Sequence, residues 1–265
     1  MTEPATRLPA VFLGHGSPMN TLESNRYTQE WRRIGQRIGK PKAVLAVSAH
    51  WYIRETAVTA MAAPRTIHDF RGFPPELSNF QYPAPGSPAL AGQVKELLDG
   101  IDVRLDDEWG LDHGTWSVLA HVFPAADVPV VQLAIDGTQP PAFHYALGKK
   151  LSALRDEGVL IVGSGNVVHN LRALKWGAER SPYDWAERFN QHVRFHLLEG
   201  DHPSLIHYDV LGEAARQSVP TPDHYLPLLY VISLQRDDET ISIPVDGLEA
   251  GSISMLSAVV GRLPA

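Results

Sequence analysis

The 265-residue chain contains no cysteine. That absence excludes disulfides, thiolate zinc sites, iron–sulfur clusters and cysteine nucleophiles, and it confines any bound metal to nitrogen and oxygen ligands. Positive charge is also scarce: 23 basic residues against 30 acidic ones leave a formal net charge of −7. No basic cluster occurs, so the electrostatic footprint of a nucleic-acid or anionic-membrane partner is missing, and a small molecule is the expected partner. No apolar run approaches the ~20 residues that span a bilayer, and the polar start of the chain lacks the apolar core of a signal peptide. These features predict a cytoplasmic location. Internal repeats, low-complexity tracts and linkers are absent too, so residues 1–265 are expected to form one domain. At this length folding buries roughly 70–75% of the unfolded surface, enough for a core that needs no staple.

What the chain does have is histidine, 12 in all, scattered rather than tracted. Leu13-Gly14-His15-Gly16-Ser17 follows a short apolar run from Pro9 and sets an imidazole between two glycines. Glycines there permit backbone conformations closed to other residues and are expected to leave open space around the ring. A tight turn with an incidental histidine is the competing account. Tyr27 to Ile38 has helical apolar spacing and is stopped by Gly39-Lys40-Pro41, and Ala43 to Ala49 reads as a buried strand ending at His50-Trp51. In open α/β sheets ligands sit beyond the carboxyl ends of the strands, so His15 and His50 converge if their strands lie parallel and adjacent.

Further strands are expected at Thr56 to Met61, Asp102 to Leu105, Val128 to Ile135, Val159 to Gly163, Ile241 to Val245 and Ser252 to Leu256. Helices are expected at Pro88 to Leu98, after the Trp109 to Trp116 stretch through His121, and at Pro141 to Arg155, Pro182 to Leu198 and Pro203 to Gln217. This alternation predicts a three-layer α/β/α fold around a central, largely parallel or mixed sheet. Ile67 to Gly86 is a long segment rich in proline and aromatics, of the kind that forms a lid or binding loop. His113 stands beside Gly114, and His169 follows Ser164-Gly165-Asn166 beyond a strand end. His224 sits in Thr221-Pro222-Asp223-His224-Tyr225 before an apolar stretch through Leu234. His192 and His196 are four apart but lack the glutamate of H-E-x-x-H, so they are expected to be part of a half-buried helix face.

His15, His50, His169 and His224 therefore stand out. Catalytic metal sites commonly draw about three ligands from different elements and leave positions open, and neutral imidazoles suit Fe(II), Zn(II) or Mn(II). Spacing alone does not choose between a metal centre and structural histidines. The ordered motifs add a second argument. Gly14-His15-Gly16-Ser17-Pro18-Met19, Ser48-Ala49-His50-Trp51, His68-Asp69-Phe70 with Gly72-Phe73-Pro74-Pro75-Glu76-Leu77, Gln81-Tyr82-Pro83-Ala84-Pro85-Gly86, Leu111-Asp112-His113-Gly114, Gly163-Ser164-Gly165-Asn166 with His169-Asn170, and Thr221-Pro222-Asp223-His224-Tyr225-Leu226-Pro227 resemble the class III extradiol ring-cleaving dioxygenases, in the branch called 4,5-DOPA extradiol dioxygenase.

The resemblance implies a metal held by His15, His50 and His224, where relatives outside this branch place a glutamate third. It implies His169 as acid/base, able to become a fourth ligand, and His113 as a second active-site histidine near substrate or oxygen. Fe(II) is the implied cofactor, with Zn(II) able to occupy the same site, and the implied partners are a catechol, DOPA-like, and O2, with ring opening to a semialdehyde acid. Trp51, Phe73 and Arg71 are the substrate-binding candidates, although a solvent-facing Arg71 is the plainer reading. The same histidine set leaves two alternatives, a zinc hydrolase and a non-catalytic scaffold of the same fold.

Overall fold

Apolar runs such as Ala43 to Val47 have no polar alternate positions, which suits strands covered on both faces. The structure, a computed structural model, describes residues 7–177 and 180–264. Its strands and helices run β1 (Ala10–Gly14), α1 (Arg26–Ile38), β2 (Ala43–Ile53), β3 (Thr56–Thr59), α2 (Pro75–Ser78), α3 (Pro88–Leu97), β4 (Val103–Asp106), α4 (His113–Val122), β5 (Val130–Asp136), α5 (Pro141–Lys150) and β6 (Val159–Gly165). The chain continues through α6 (Asp184–Glu199), α7 (His202–Ile206), α8 (Glu213–Ser218), α9 (Leu226–Ile232), β7 (Ile241–Val245), β8 (Leu248–Glu249), β9 (Ile253–Ser254) and β10 (Ser257–Val260).

Eight of the strands form one mixed sheet in the order β4-β3-β5-β2-β6-β1-β10-β7, whose centre, β5-β2-β6-β1, is parallel. Alternation along each central strand sends side chains to opposite layers. Phe12, Leu45, Val47 and Ile161 pack with α3, α5, α6 and α9 residues such as Val94, Leu147, Phe189 and Leu229. Val11, Leu13, Val44 and Leu160 pack on the other face with Trp31 and Ile34 of α1 and Trp116 and Leu119 of α4. The three-layer α/β/α expectation is met.

Several boundaries differ from the sequence reading. The strands of His15 and His50 are parallel but not adjacent, because β6 lies between β1 and β2. β2 runs on to Ile53, so His50 lies inside a strand, in a stretch where pairing with β5 slips between Val47 and Tyr52. Pro203 to Gln217 is not one helix: a 3-10 turn, Tyr208–Leu211, and Gly212 at φ +59° separate α7 from α8. The terminal strand falls at Ser257–Val260, because the backbone at Ser254 and Met255 bonds outward to Val168 and Gly247. No described helix is long and apolar enough to cross a membrane.

A buried ion pair ties the chain's start to its end. Arg155 is fully buried and donates to the carbonyls of Leu8 and Leu234, both at 2.7 Å, and to both carboxylate oxygens of Glu239 at 2.9 and 2.6 Å. Removing one partner of such a pair strands the other charge, so Glu239→Ala is expected to cost about 3–5 kcal/mol in urea unfolding. Burial pushes the Glu239 carboxyl up, but the bonds from Arg155 and Arg236 reverse this and hold it below its ordinary value. Its stabilising effect is then present above the unfolded value of about 4.3 and lost as pH falls through the lower folded value. The gap in urea midpoint between wild type and Glu239→Gln is expected to narrow below about pH 4.

Candidate metal centre

The carboxyl end of β6 organises the site. β6 pairs with β1 as far as Gly14↔Gly165 and with β2 as far as Ser48↔Ser164, so the chain leaves β1 at His15 and reaches His50 on either side of it. The His15 amide donates to the Gly165 carbonyl at 3.1 Å, and the Asn166 amide donates to the His224 carbonyl at 2.9 Å. Glycine is required at 165, since a Cβ there would lie 2.1 Å from the His224 carbonyl oxygen. The glycines flanking His15 do not leave open space as expected. A Cβ on Gly14 would meet the Leu256 carbonyl at 2.7 Å, and one on Gly16, at φ +60°, would meet Met255 Sδ at 2.4 Å. They let the 255–256 segment pack directly against the loop.

Five imidazoles converge here. His15 Nε2 and His50 Nε2 are 3.3 Å apart. His113 joins them, its ring centroid 3.8 Å from that of His50, and one nitrogen from each of His15, His50 and His113 lies within 4.8 Å of the others. The His224 centroid is 5.2 Å from His15 and 5.1 Å from His50, and His169 stacks on His224 at 3.4 Å with planes 5° apart. These rings face a cavity of about 850 Å³ whose wall includes Phe70 and Phe73 from the long proline-rich loop.

In four of the five rings, those of His15, His50, His113 and His224, the nitrogen that points away from the centre is bonded. Ser164 Oγ donates to the Gly114 carbonyl at 2.5 Å, which leaves its oxygen to accept from His15 Nδ1–H at 3.0 Å. Asp69 accepts from His50 Nδ1–H at 3.0 Å on one oxygen, and from the Nδ1–H and backbone amide of His113 at 2.8 and 3.1 Å on the other. Asp223 accepts from His224 Nδ1–H at 2.5 Å. In each ring the Nε2 lone pair therefore faces inward, the arrangement in which an outer partner fixes a metal-binding tautomer. His224 Nε2 is buried with no hydrogen-bond partner, and two lone pairs facing each other at 3.3 Å repel without a cation beside them. The residues present fit a divalent metal with nitrogen preference.

Electrostatics agree. Burial, helped by the neighbouring imidazoles, holds His15 and His224 well below the ordinary histidine pKa, and burial lowers His113 as well and draws His169 down to about 4. These rings are neutral near pH 7, with lone pairs available. His50 differs: burial lowers it, but Asp69, with Asp112 and Asp223 nearby, raises it overall. Burial would raise the Asp69 carboxyl, yet its bonds to His113 and His50 bring it far below the usual range.

Asp112 fixes His113 from beneath. It caps α4 by accepting from the Thr115 amide at 3.1 Å, and its oxygens also accept from Ser48 Oγ of β2 at 2.6 Å and Gln132 Nε2 of β5 at 2.7 Å. One buried carboxylate thus locks the helix that carries His113 to two strands, one of which carries His50.

Of the residues singled out from sequence, His15, His50, His113, His169, His224 and Phe73 come together on one cavity. Trp51 does not. Strand alternation turns it away from His50, and it is 2% exposed, stacked on Trp109 with centroids 5.6 Å apart, beside a separate cavity of about 300 Å³. Arg71 is exposed and lies outside the wall of the large cavity. His192 and His196 lie on α6, away from that wall, with centroids 4.2 Å apart and His196 Nδ1 2.9 Å from Asp201. The sequence reading assigned no role to Asp69, Ser164 and Asp223. Asp223 is signalled by its adjacency to His224. Nothing local marks Asp69 as the partner of rings 19 and 44 positions away.

Comparison with known proteins agrees with this geometry. Residues 9–257 match the family described as the catalytic LigB subunit of aromatic ring-opening dioxygenase. The chain is 54% identical, over 97% of its length and 96% of the relative's, to a 4,5-DOPA dioxygenase extradiol of Escherichia coli (strain K12). It is 37% identical to the protein of the same name from Beta vulgaris, over 82% of this chain and 83% of that one. Its structure superposes on the crystal structure of an uncharacterized Escherichia coli K12 protein with a TM-score of 0.85 at 50% identity, covering 96% of this chain and 100% of that one. The chain therefore belongs to the LigB family of aromatic ring-opening dioxygenases, the class III extradiol enzymes that its ordered histidine motifs resemble.

Proposed function

We propose that this chain acts as a single catalytic unit that opens the ring of a catechol beside its two hydroxyls, with dioxygen as co-substrate and Fe(II) held by His15, His50 and His224. One observation carries this reading: outer hydrogen bonds commit the Nδ1 protons of these three rings, so each aims an Nε2 lone pair into the cavity. Fe(II) is favoured over Zn(II) because ring opening by dioxygen is a redox reaction and Zn(II) has no redox chemistry. Zinc would fit the same nitrogens without supporting turnover. When bound, the metal supplies a chelation point for the two adjacent hydroxyls and activates dioxygen. The name shared by the relatives makes a DOPA-like catechol the first substrate to test.

The protein's own groups manage protons and water. His169, stacked flat on His224, is the base for a hydroxyl proton and the acid that returns it during ring opening to the semialdehyde acid. His113 offers Nε2 to a substrate oxygen. Once protonated it becomes a donor to developing negative charge, with the Asp69 carboxylate behind it. Phe70 and Phe73 form an apolar wall that limits water near the reacting ring.

A second choice of third ligand has its own support, since one nitrogen from each of His15, His50 and His113 lies within 4.8 Å of the others. Metal analysis of two variants separates the choices. His224→Ala is expected to lose most of its iron and His113→Ala to retain it, and the reverse result transfers the ligand role to His113. His15→Ala and His50→Ala are expected to retain less than about a tenth of wild-type iron while keeping the wild-type circular dichroism spectrum.

The function itself is tested by oxygen uptake. Iron-loaded protein with a catechol under reducing conditions is expected to consume dioxygen and form a yellow ring-opened product, and no uptake across a broad catechol panel would overturn the reading. His169→Ala is expected to keep its iron and lose about 10²- to 10⁴-fold in kcat.

A further inference from the structure

The imidazoles occupy one part of the 850 Å³ cavity, and a different set of groups lines another part of its wall. Arg26, Tyr27 and Glu249 are there, joined in a row. Arg26 Nη2 donates to Tyr27 Oη at 2.6 Å, and Tyr27 Oη donates to Glu249 Oε1 at 2.6 Å. Tyr27 is 4% exposed, and its ring lies 4.6 Å beneath the Arg26 guanidinium. Burial pushes its hydroxyl up to about 12, so it stays protonated and keeps bridging the two charges.

Neither charge is used up by this bridge. A carboxylate accepts about four hydrogen bonds and a guanidinium donates five, and Tyr27 takes one from each. Both groups are held in place. Glu249 precedes a tight turn in which Ala250 and Gly251 both have positive φ, and it pairs with Ile253 across the β8–β9 ladder. Ile253 in turn bridges to His169. Two strand spacings thus separate the backbones of Glu249 and His169, roughly 10 Å, a span that a ring carrying a short tail can bridge. Arg26 stands at the first position of α1, a 13-residue helix with no acidic residue in its first turn, and Asn25, Arg26 and Tyr27 all line the cavity. Asn25 already caps the Tyr27 and Thr28 amides, so a bound carboxylate would be received by Arg26, with the helix dipole adding to the attraction.

We propose that Glu249 and Arg26, coupled through Tyr27, are specificity-determining residues that read a zwitterionic tail on the substrate, Glu249 receiving its ammonium and Arg26 its carboxylate. This inference builds on the catechol reading, and two separate measurements keep them distinguishable.

The first is calorimetry of the iron-loaded protein under nitrogen, where no ring can open. The ligands are a catechol with an α-amino acid tail, the same catechol with only the amine, the same with only the acid, and catechol itself. Wild type is expected to bind the amino acid about tenfold or more tighter than either single-charge analogue. Glu249→Gln, which preserves the bond to Tyr27, is expected to lower the affinity ratio of amino acid to acid analogue about tenfold. Arg26→Gln is expected to lower the ratio of amino acid to amine analogue by a similar factor. Equal affinities across the four ligands, or unchanged ratios in both variants, overturn the tail assignment. The second measurement is oxygen uptake with the same four compounds. Tail-dependent binding without uptake sinks the catechol reading and leaves the tail site standing, and uptake with tail-independent binding does the opposite.

Discussion

The end of β6 is the constraint on which the site depends. Three consecutive residues there, Ser164-Gly165-Asn166, hold two of the five histidines, His15 and His224, through bonds that need no metal. Ser164 orients the His15 ring, the Gly165 carbonyl holds the His15 backbone, and the Asn166 amide holds the His224 backbone. The Asn166 side chain adds a fourth tie, donating at 2.7 Å to the Ser254 carbonyl beside the residues that pack on Gly14 and Gly16. A central strand buried on both faces is among the last elements of a domain to open. Anchoring the rings to it fixes their positions more tightly than loops would allow.

Charge around the rings is placed with the same economy. Asp69 sits on the long loop yet bonds both His50 and His113, so one carboxylate sets two tautomers and links the loop to the strand and the helix. A carboxylate near the first turn of α4 is also favoured by the helix dipole. Because Asp69 lies between Ile67 and Phe70, the residues that orient the rings and the aromatic wall that shields them share one segment. Any displacement of that loop would unlock two imidazoles and admit water together.

The strands and the histidines were legible in the sequence because each leaves a local signature. Continuous apolar runs, glycine-flanked imidazoles and proline-marked boundaries all lie within a few residues of what they specify. Trp51 shows where local reading stops. Its neighbour His50 is in the site, but strand alternation sends Trp51 to the opposite side, and that is visible only once β2 is seen to continue through Ile53. Gly14 and Gly16 make the same point from the other direction. They signalled an unusual backbone near His15, but the reason for it is a segment 240 positions away, and pairing at that distance has no local trace. Asp69 escaped notice because a lone acid in a loop usually faces solvent, and its two partners come from other elements.

Segregation within the cavity follows from what each part must avoid. A carboxylate such as Glu249 beside the imidazoles would compete as a ligand and alter the charge of the centre, and a guanidinium such as Arg26 there would repel a divalent cation. Buried ligand rings also need partners that fix their tautomers without adding charge inside the cluster. Ser164 does this for His15 with a hydroxyl, and the carboxylates that serve His50, His113 and His224 stand behind their rings. Groups that read a charged tail must instead be open to the cavity and rigid enough to discriminate. A helix terminus and a tight hairpin, coupled by a buried tyrosine, supply that rigidity without drawing the charges toward the rings.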